Sequence, residues 1–148
     1  MKDDPVEVRA VLIVEEGEDD ARLMIEALRR DGLEPSWRRV DTLSSLGTAL
    51  ESQEWDVVLS SRNLPGFDAW ETLRQVRESS TDAPFILVSD AIGEEEAVAF
   101  VKAGAADFLL QSDLSRLPSA VVRAIAETKS RRRQREFEEH LRASESSC

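Results

Sequence analysis

Five residues of this 148-residue chain stand where short apolar runs end and carry groups able to do chemistry. Glu15 and Glu16 follow Val11-Leu12-Ile13-Val14, Ser61 follows the run that begins Asp56-Val57-Val58-Leu59, Ser89 follows Phe85-Ile86-Leu87-Val88, and Gln111 follows Phe108-Leu109-Leu110. Adjacent carboxylates can hold a divalent cation, because hard ions such as Mg²⁺ take oxygen ligands. A serine hydroxyl stays protonated near neutral pH and attacks only when a base or metal activates it, and no His or Lys is placed beside Ser61 in sequence. Ser89 can bond to nearby backbone groups, and Gln111 can donate hydrogen bonds without bringing positive charge. Each has a plainer reading: Glu15 and Glu16 as a solvated acidic loop, Asp19 and Asp20 as residues that cap the next helix.

The runs that precede these residues are continuously apolar, as strands buried on both faces of a parallel sheet are. Ser36-Trp37-Arg38-Arg39-Val40 alternates instead and fits an edge strand with one wet face. Helical patterns follow at Asp20 to Arg30, Leu43 to Leu50, Ala69 to Arg77, Glu94 to Ala103 and Leu117 to Thr128, with Gly32 just past the end of the first. A β-α unit repeated five times predicts an α/β fold: a doubly wound five-stranded parallel sheet in a single domain, residues 9–128, with an extended C-terminal helix. In that architecture the residues after the strands converge on one crevice beyond the carboxyl ends. From Lys129 to Cys148 the composition turns charged and helical, with Phe137 and Leu141 as its apolar pair, and reads as an extension or linker.

The formal charge of −11 is uneven. The last 20 residues hold six basic and four acidic side chains, which leaves 13 basic and 26 acidic over the first 128. Such an acidic body argues against nucleic acid as a partner, because phosphate contacts need a basic surface. The run Arg131-Arg132-Arg133-Gln134-Arg135 reads as a solvated face. No apolar stretch is long enough to span a bilayer, and the start of the chain lacks a secretory pattern, so the expected place is cytoplasmic, away from any membrane. Cys148 has no second cysteine to pair with and is read as adventitious. Trp37, Trp55 and Trp70 are scattered and read as packing residues, and His140 as exposed and silent.

Over Arg9 to Glu127 the chain resembles a response-regulator receiver domain of the CheY-like, flavodoxin-like type. Val-Glu-Glu at 14–16, Leu-Pro-Gly at 64–66, Val-Ser at 88–89 and Lys-Ala-Gly-Ala at 102–105 carry the resemblance. It implies that Glu15, Glu16, Ser61, Ser89 and Gln111 form the phosphoacceptor site, that Phe108 is the switch aromatic position, and that Glu15, Glu16 and the carbonyl of Asn63 are the metal set. The site is degenerate: Ser61 stands where an acceptor aspartate would be, and Gln111 where a lysine would contact the phosphoryl group. An intact site would hold three carboxylates and one lysine; with both changes Glu15 and Glu16 remain, the same net charge of about −2. The expectation is a pseudo-receiver of two-component signal transduction, not an enzyme, that acts by phosphorylation-independent protein–protein contact. It needs no cofactor and holds Mg²⁺ weakly at most. The partners implied are signalling proteins such as a histidine kinase or a sensor-domain protein, or a second copy bound through residues 94–128 or the C-terminal helix. Arg131 to Glu145 is similar to helical connectors between receivers and sensor or kinase domains. The alternatives are phosphotransfer through Ser61 or a displaced aspartate, Asp68 or Asp90, and small-ligand sensing in the crevice.

Overall fold

Apolar side chains alternate between the two faces of the central strands, and each face has its own helices to cover it. The computed structural model describes residues 6–146, with side chains to residue 143, so Met1–Pro5 and Cys148 lie outside the described residues. In chain order the elements are β1 (Ala10–Val14), α1 (Glu18–Arg30), β2 (Ser36–Val40), α2 (Leu43–Ser52), β3 (Val57–Ser60), β4 (Asn63–Leu64), β5 (Phe67–Asp68), α3 (Ala69–Glu78), β6 (Phe85–Ser89), α4 (Glu94–Lys102), β7 (Asp107–Leu110), a 3-10 helix (Gln111–Arg116) and α5 (Leu117–Ser146). Five strands form one parallel sheet in the order β2-β1-β3-β6-β7, the expected doubly wound arrangement.

Leu12 and Val14 of β1 pack with Leu46 of α2, Leu73 of α3 and Phe100 of α4. Val11 and Ile13 turn the other way, onto Met24, Ile25 and Leu28 of α1 and Val121 and Ile125 of α5. Each such aliphatic side chain taken fully out of water contributes about 1.5–3 kcal/mol, which is why the apolar runs dictate this layering. β2 keeps exposed Ser36 and Arg38, as an edge strand with a wet face should.

One local feature differs from the sequence expectation, and three others fill it in. α1 starts after Gly17 with no side-chain cap, so Asp19 and Asp20 do not cap it but sit in its first turn. Acids there are favoured by the partial positive charge of the helix N-terminus. At its other end Gly32 N–H donates to Arg29 O at 3.0 Å and Leu33 N–H to Leu28 O at 3.1 Å, a Schellman closure in which Gly32 takes φ +88°. Leu-Pro-Gly is the corner of a two-residue hairpin loop between β4 and β5, with Gly66 at φ +82° as a type II turn requires. Finally, α5 continues past Thr128 as the extended C-terminal helix expected, running 30 residues without a break. Among the described residues no helix is long and apolar enough to cross a membrane.

Candidate functional site

β1 and β3 are neighbours at the place where strand order reverses, the position at which open α/β sheets leave a crevice. The ladders continue one residue past each strand. Ser61 N–H donates to Val14 O at 2.9 Å, and Glu15 N–H donates to Val40 O at 3.0 Å. Those two bonds fix Ser61 and Glu15 side by side at the mouth of the sheet. Glu15 is only 7% exposed. Its Oε2 accepts the Gly17 N–H at 2.8 Å, and its Oε1 accepts a short hydrogen bond from the Ser61 hydroxyl.

The crevice around them has a volume of about 170 Å³ and is lined by Glu15, Asp20, Ser61, Arg62, Asn63, Val88, Ser89, Asp90 and Gln111. Four of the five residues that follow the apolar runs therefore meet, and Glu16 does not. Glu16 lies one residue further, in the bend beyond β1, and is not among the lining residues. Glu16 is exposed, and its carbonyl accepts from the Arg39 guanidinium at 3.0 Å. The solvated reading thus holds for Glu16 and is wrong for Glu15. The charge count changes with it: the carboxylates facing the crevice are Glu15, Asp20 and Asp90, and Arg62 is the basic residue among them.

Ser89, 3% exposed, donates its hydroxyl to Ala91 O at 2.8 Å and accepts the Ala91 N–H at 3.3 Å. Its oxygen is thereby committed to the turn after β6. Gln111 opens the 3-10 helix at the far wall, and Phe108 is half-buried against the core together with Trp70 and Ile92. Asp68, a candidate displaced acceptor, caps α3 by accepting the Glu71 N–H at 3.1 Å and is not part of the crevice lining; Asp90 is.

Sequence reading did not find Arg62. Its Nε donates to Glu96 Oε1 at 3.0 Å, a second nitrogen makes a short bond to Glu96 Oε2, and the third donates to Asn63 Oδ1 at 3.1 Å. Glu96 lies 34 positions away on α4, beyond any periodic signal that a sequence offers.

A Mg²⁺ ion asks for near-octahedral oxygen ligation with one or two free carboxylates. The implied set of Glu15, Glu16 and Asn63 does not come together, because Glu16 lies outside the crevice. Among the described residues no group of three or more His, Cys, Asp or Glu is arranged to hold a metal ion. The hydroxyl of Ser61 faces a carboxylate, which is a weak base for making an alkoxide. What the crevice offers is a hydrogen-bonded, acid-rich surface with its serine already engaged.

Comparison with known proteins places this geometry. The family model "Response regulator receiver domain" matches residues 11–122. The transcriptional regulatory protein YxdJ of Bacillus subtilis is 32% identical over 99 residues, which is 67% of this chain and 42% of that protein. The C4-dicarboxylate transport transcriptional regulatory protein DctD of Pseudomonas aeruginosa is 37% identical over 95 residues, 62% of this chain and 20% of that protein. The match thus spans less than half the length of either relative. Among solved structures, a CheY-like response regulator receiver domain protein from Methanospirillum hungatei superposes with a TM-score of 0.71 at 17% identity, covering 84% of this chain and 99% of that one.

Proposed function

The chain belongs to the response regulator receiver domain family, the signalling modules of two-component systems, and from that premise we propose that it is a pseudo-receiver: a module that acts by binding and not by accepting a phosphoryl group. The observation that carries this reading is the Ser61–Glu15 hydrogen bond at the end of β3, where an aspartyl carboxylate would be needed to form an acyl phosphate. Gln111 at the opposite wall brings no charge to hold a phosphoryl anion, and Asp90 adds a repelling one.

In this reading residues 9–128 are the receiver unit and 129–148 a charged helical extension. The contact surface is the 94–128 region, whose outer side exposes Val98 (51%), Val101 (48%) and Leu110 (39%). Partners are signalling proteins such as a histidine kinase or a sensor-domain protein, or a second copy of the chain, in the cytoplasm. Nucleic acid is a poor partner for this segment, given 26 acidic against 13 basic residues in its first 128. Small-ligand sensing finds less support, since the crevice holds about 170 Å³ against roughly 300–1,000 Å³ for ordinary ligand pockets.

The test is incubation with Mg²⁺ and acetyl phosphate followed by intact-mass measurement. No adduct of about +80 Da is expected. A stoichiometric adduct would overturn the reading, and locating it at Ser61 or Asp90 would identify the acceptor. The variant S61D/Q111K, which restores carboxylate and ammonium, should gain at most weak labelling because Glu16 remains outside the crevice.

A further inference from the structure

Two groups from outside α4 converge on one carboxylate of that helix. Arg62, the residue after Ser61, meets Glu96 as a two-pronged ion pair. The Trp70 indole N–H of α3 points at Glu96 Oε2 from 3.4 Å. One turn further along α4, Phe100 is fully buried and stacks on the Trp70 ring, with centroids 3.8 Å apart and planes 15° apart. The side of α4 that meets Arg62 and Trp70 is therefore fixed at two successive turns, by charge at Glu96 and by aromatic packing at Phe100. The ion pair is also sheltered: the two side chains are 32% and 26% exposed, so water and salt screen it less than an open surface pair. The fork geometry adds direction to the attraction. Arg62 is itself anchored, because its carbonyl accepts the Ala69 N–H at 2.9 Å where α3 begins.

We propose that Arg62 and Glu96 form a permanent latch that holds α4, and with it the exposed Val98 and Val101, in one position whatever happens in the crevice. The latch takes its functional meaning from the reading of 94–128 as the contact surface. It adds how that surface is set: the chain supplies its own cation, tied to the strand end that carries Ser61, and a partner that needed α4 elsewhere would have to break this pair.

Hydrogen exchange read by mass spectrometry on the full chain tests the latch without any partner. Arg62→Ala and Glu96→Gln should each speed exchange of the α4 amides about tenfold, the scale of one lost charge-assisted hydrogen bond, while the β1 and β3 amides keep their protection. The reversed pair Arg62→Glu with Glu96→Arg should recover most of the lost protection. Unchanged α4 exchange in both single variants overturns the proposal. If a single variant also loosens the strands, the reversed pair decides: recovery supports the latch and its failure overturns it. The contact-surface reading fails by a different result, namely Val98→Glu leaving partner binding and self-association unaltered in a chain whose α4 exchange is wild-type.

Discussion

The two ends of the sheet use carboxylates in opposite ways. At the amino end, Asp56 accepts the N–H groups of Arg9 at 2.8 Å and Ala10 at 2.9 Å, closing the start of β1 against β3. Asp82, ahead of β6, takes two bonds from Arg132 of α5 at 2.9 and 2.7 Å, with Arg135 at 3.8 Å. Every one of those contacts joins segments more than 40 positions apart, so the acids there build the fold. At the carboxyl end Glu15, Asp20 and Asp90 face one small space, and the arginine that borders it is turned away to Glu96. An acidic residue at a strand end thus says little until its donors are known.

The largest effect should come from the amino end. Asp56→Ala leaves two backbone N–H groups without their charged acceptor and should cost about 2 kcal/mol in urea unfolding. A loss under about 0.5 kcal/mol would erase the contrast between the ends. A smaller effect belongs to Asp82, whose carboxyl is held below its usual range, chiefly by the Arg132 hydrogen bond. A group with a depressed folded-state pKa stabilises above its unfolded value, near pH 4, and that contribution is lost as pH falls through the folded one. Because the pair is partly solvent-screened, Asp82→Asn should remove only about 0.5–1 kcal/mol at pH 7, with the difference from wild type shrinking toward pH 3. The smallest change is expected at the crevice. Glu15→Gln keeps an acceptor for Gly17, and the Ser61 hydroxyl can accept from the new amide, while one of three neighbouring negative charges disappears. Its unfolding midpoint should stay within about 0.5 kcal/mol of wild type, and a large loss would show that the crevice carboxylate is structural after all.

The layering was readable because it depends on local pattern: continuous apolar runs for β1, β3 and β6, alternation for β2, and amphipathic stretches between them. Ser61, Ser89 and Gln111 were placed by the same logic, as residues at or one step past the end of a strand. Glu16 is next to Glu15 in sequence but not in space, because the chain bends after β1 and leaves it outside the crevice. Arg62 and Asp20 escaped for another reason, since their roles depend on contacts across loops and on a helix whose cap is Gly17 and not an aspartate. The β4–β5 hairpin, two residues per strand, is too short to carry any period.

The unbroken α5 gives the module a mechanical character. Its 30 residues span about 45 Å, of which roughly the last 16 Å lie beyond Arg135, which still reaches Asp82. Pivoted there, a tilt of about 10° in how the helix seats on the sheet would carry its far end some 3 Å sideways. Phe137 and Leu141, 62% and 47% exposed, ride on that arm on the side opposite the seated face, since nine residues past Thr128 turn the helix through about half a revolution. Motion too small to alter the sheet would thus be magnified where another chain could grip those two side chains.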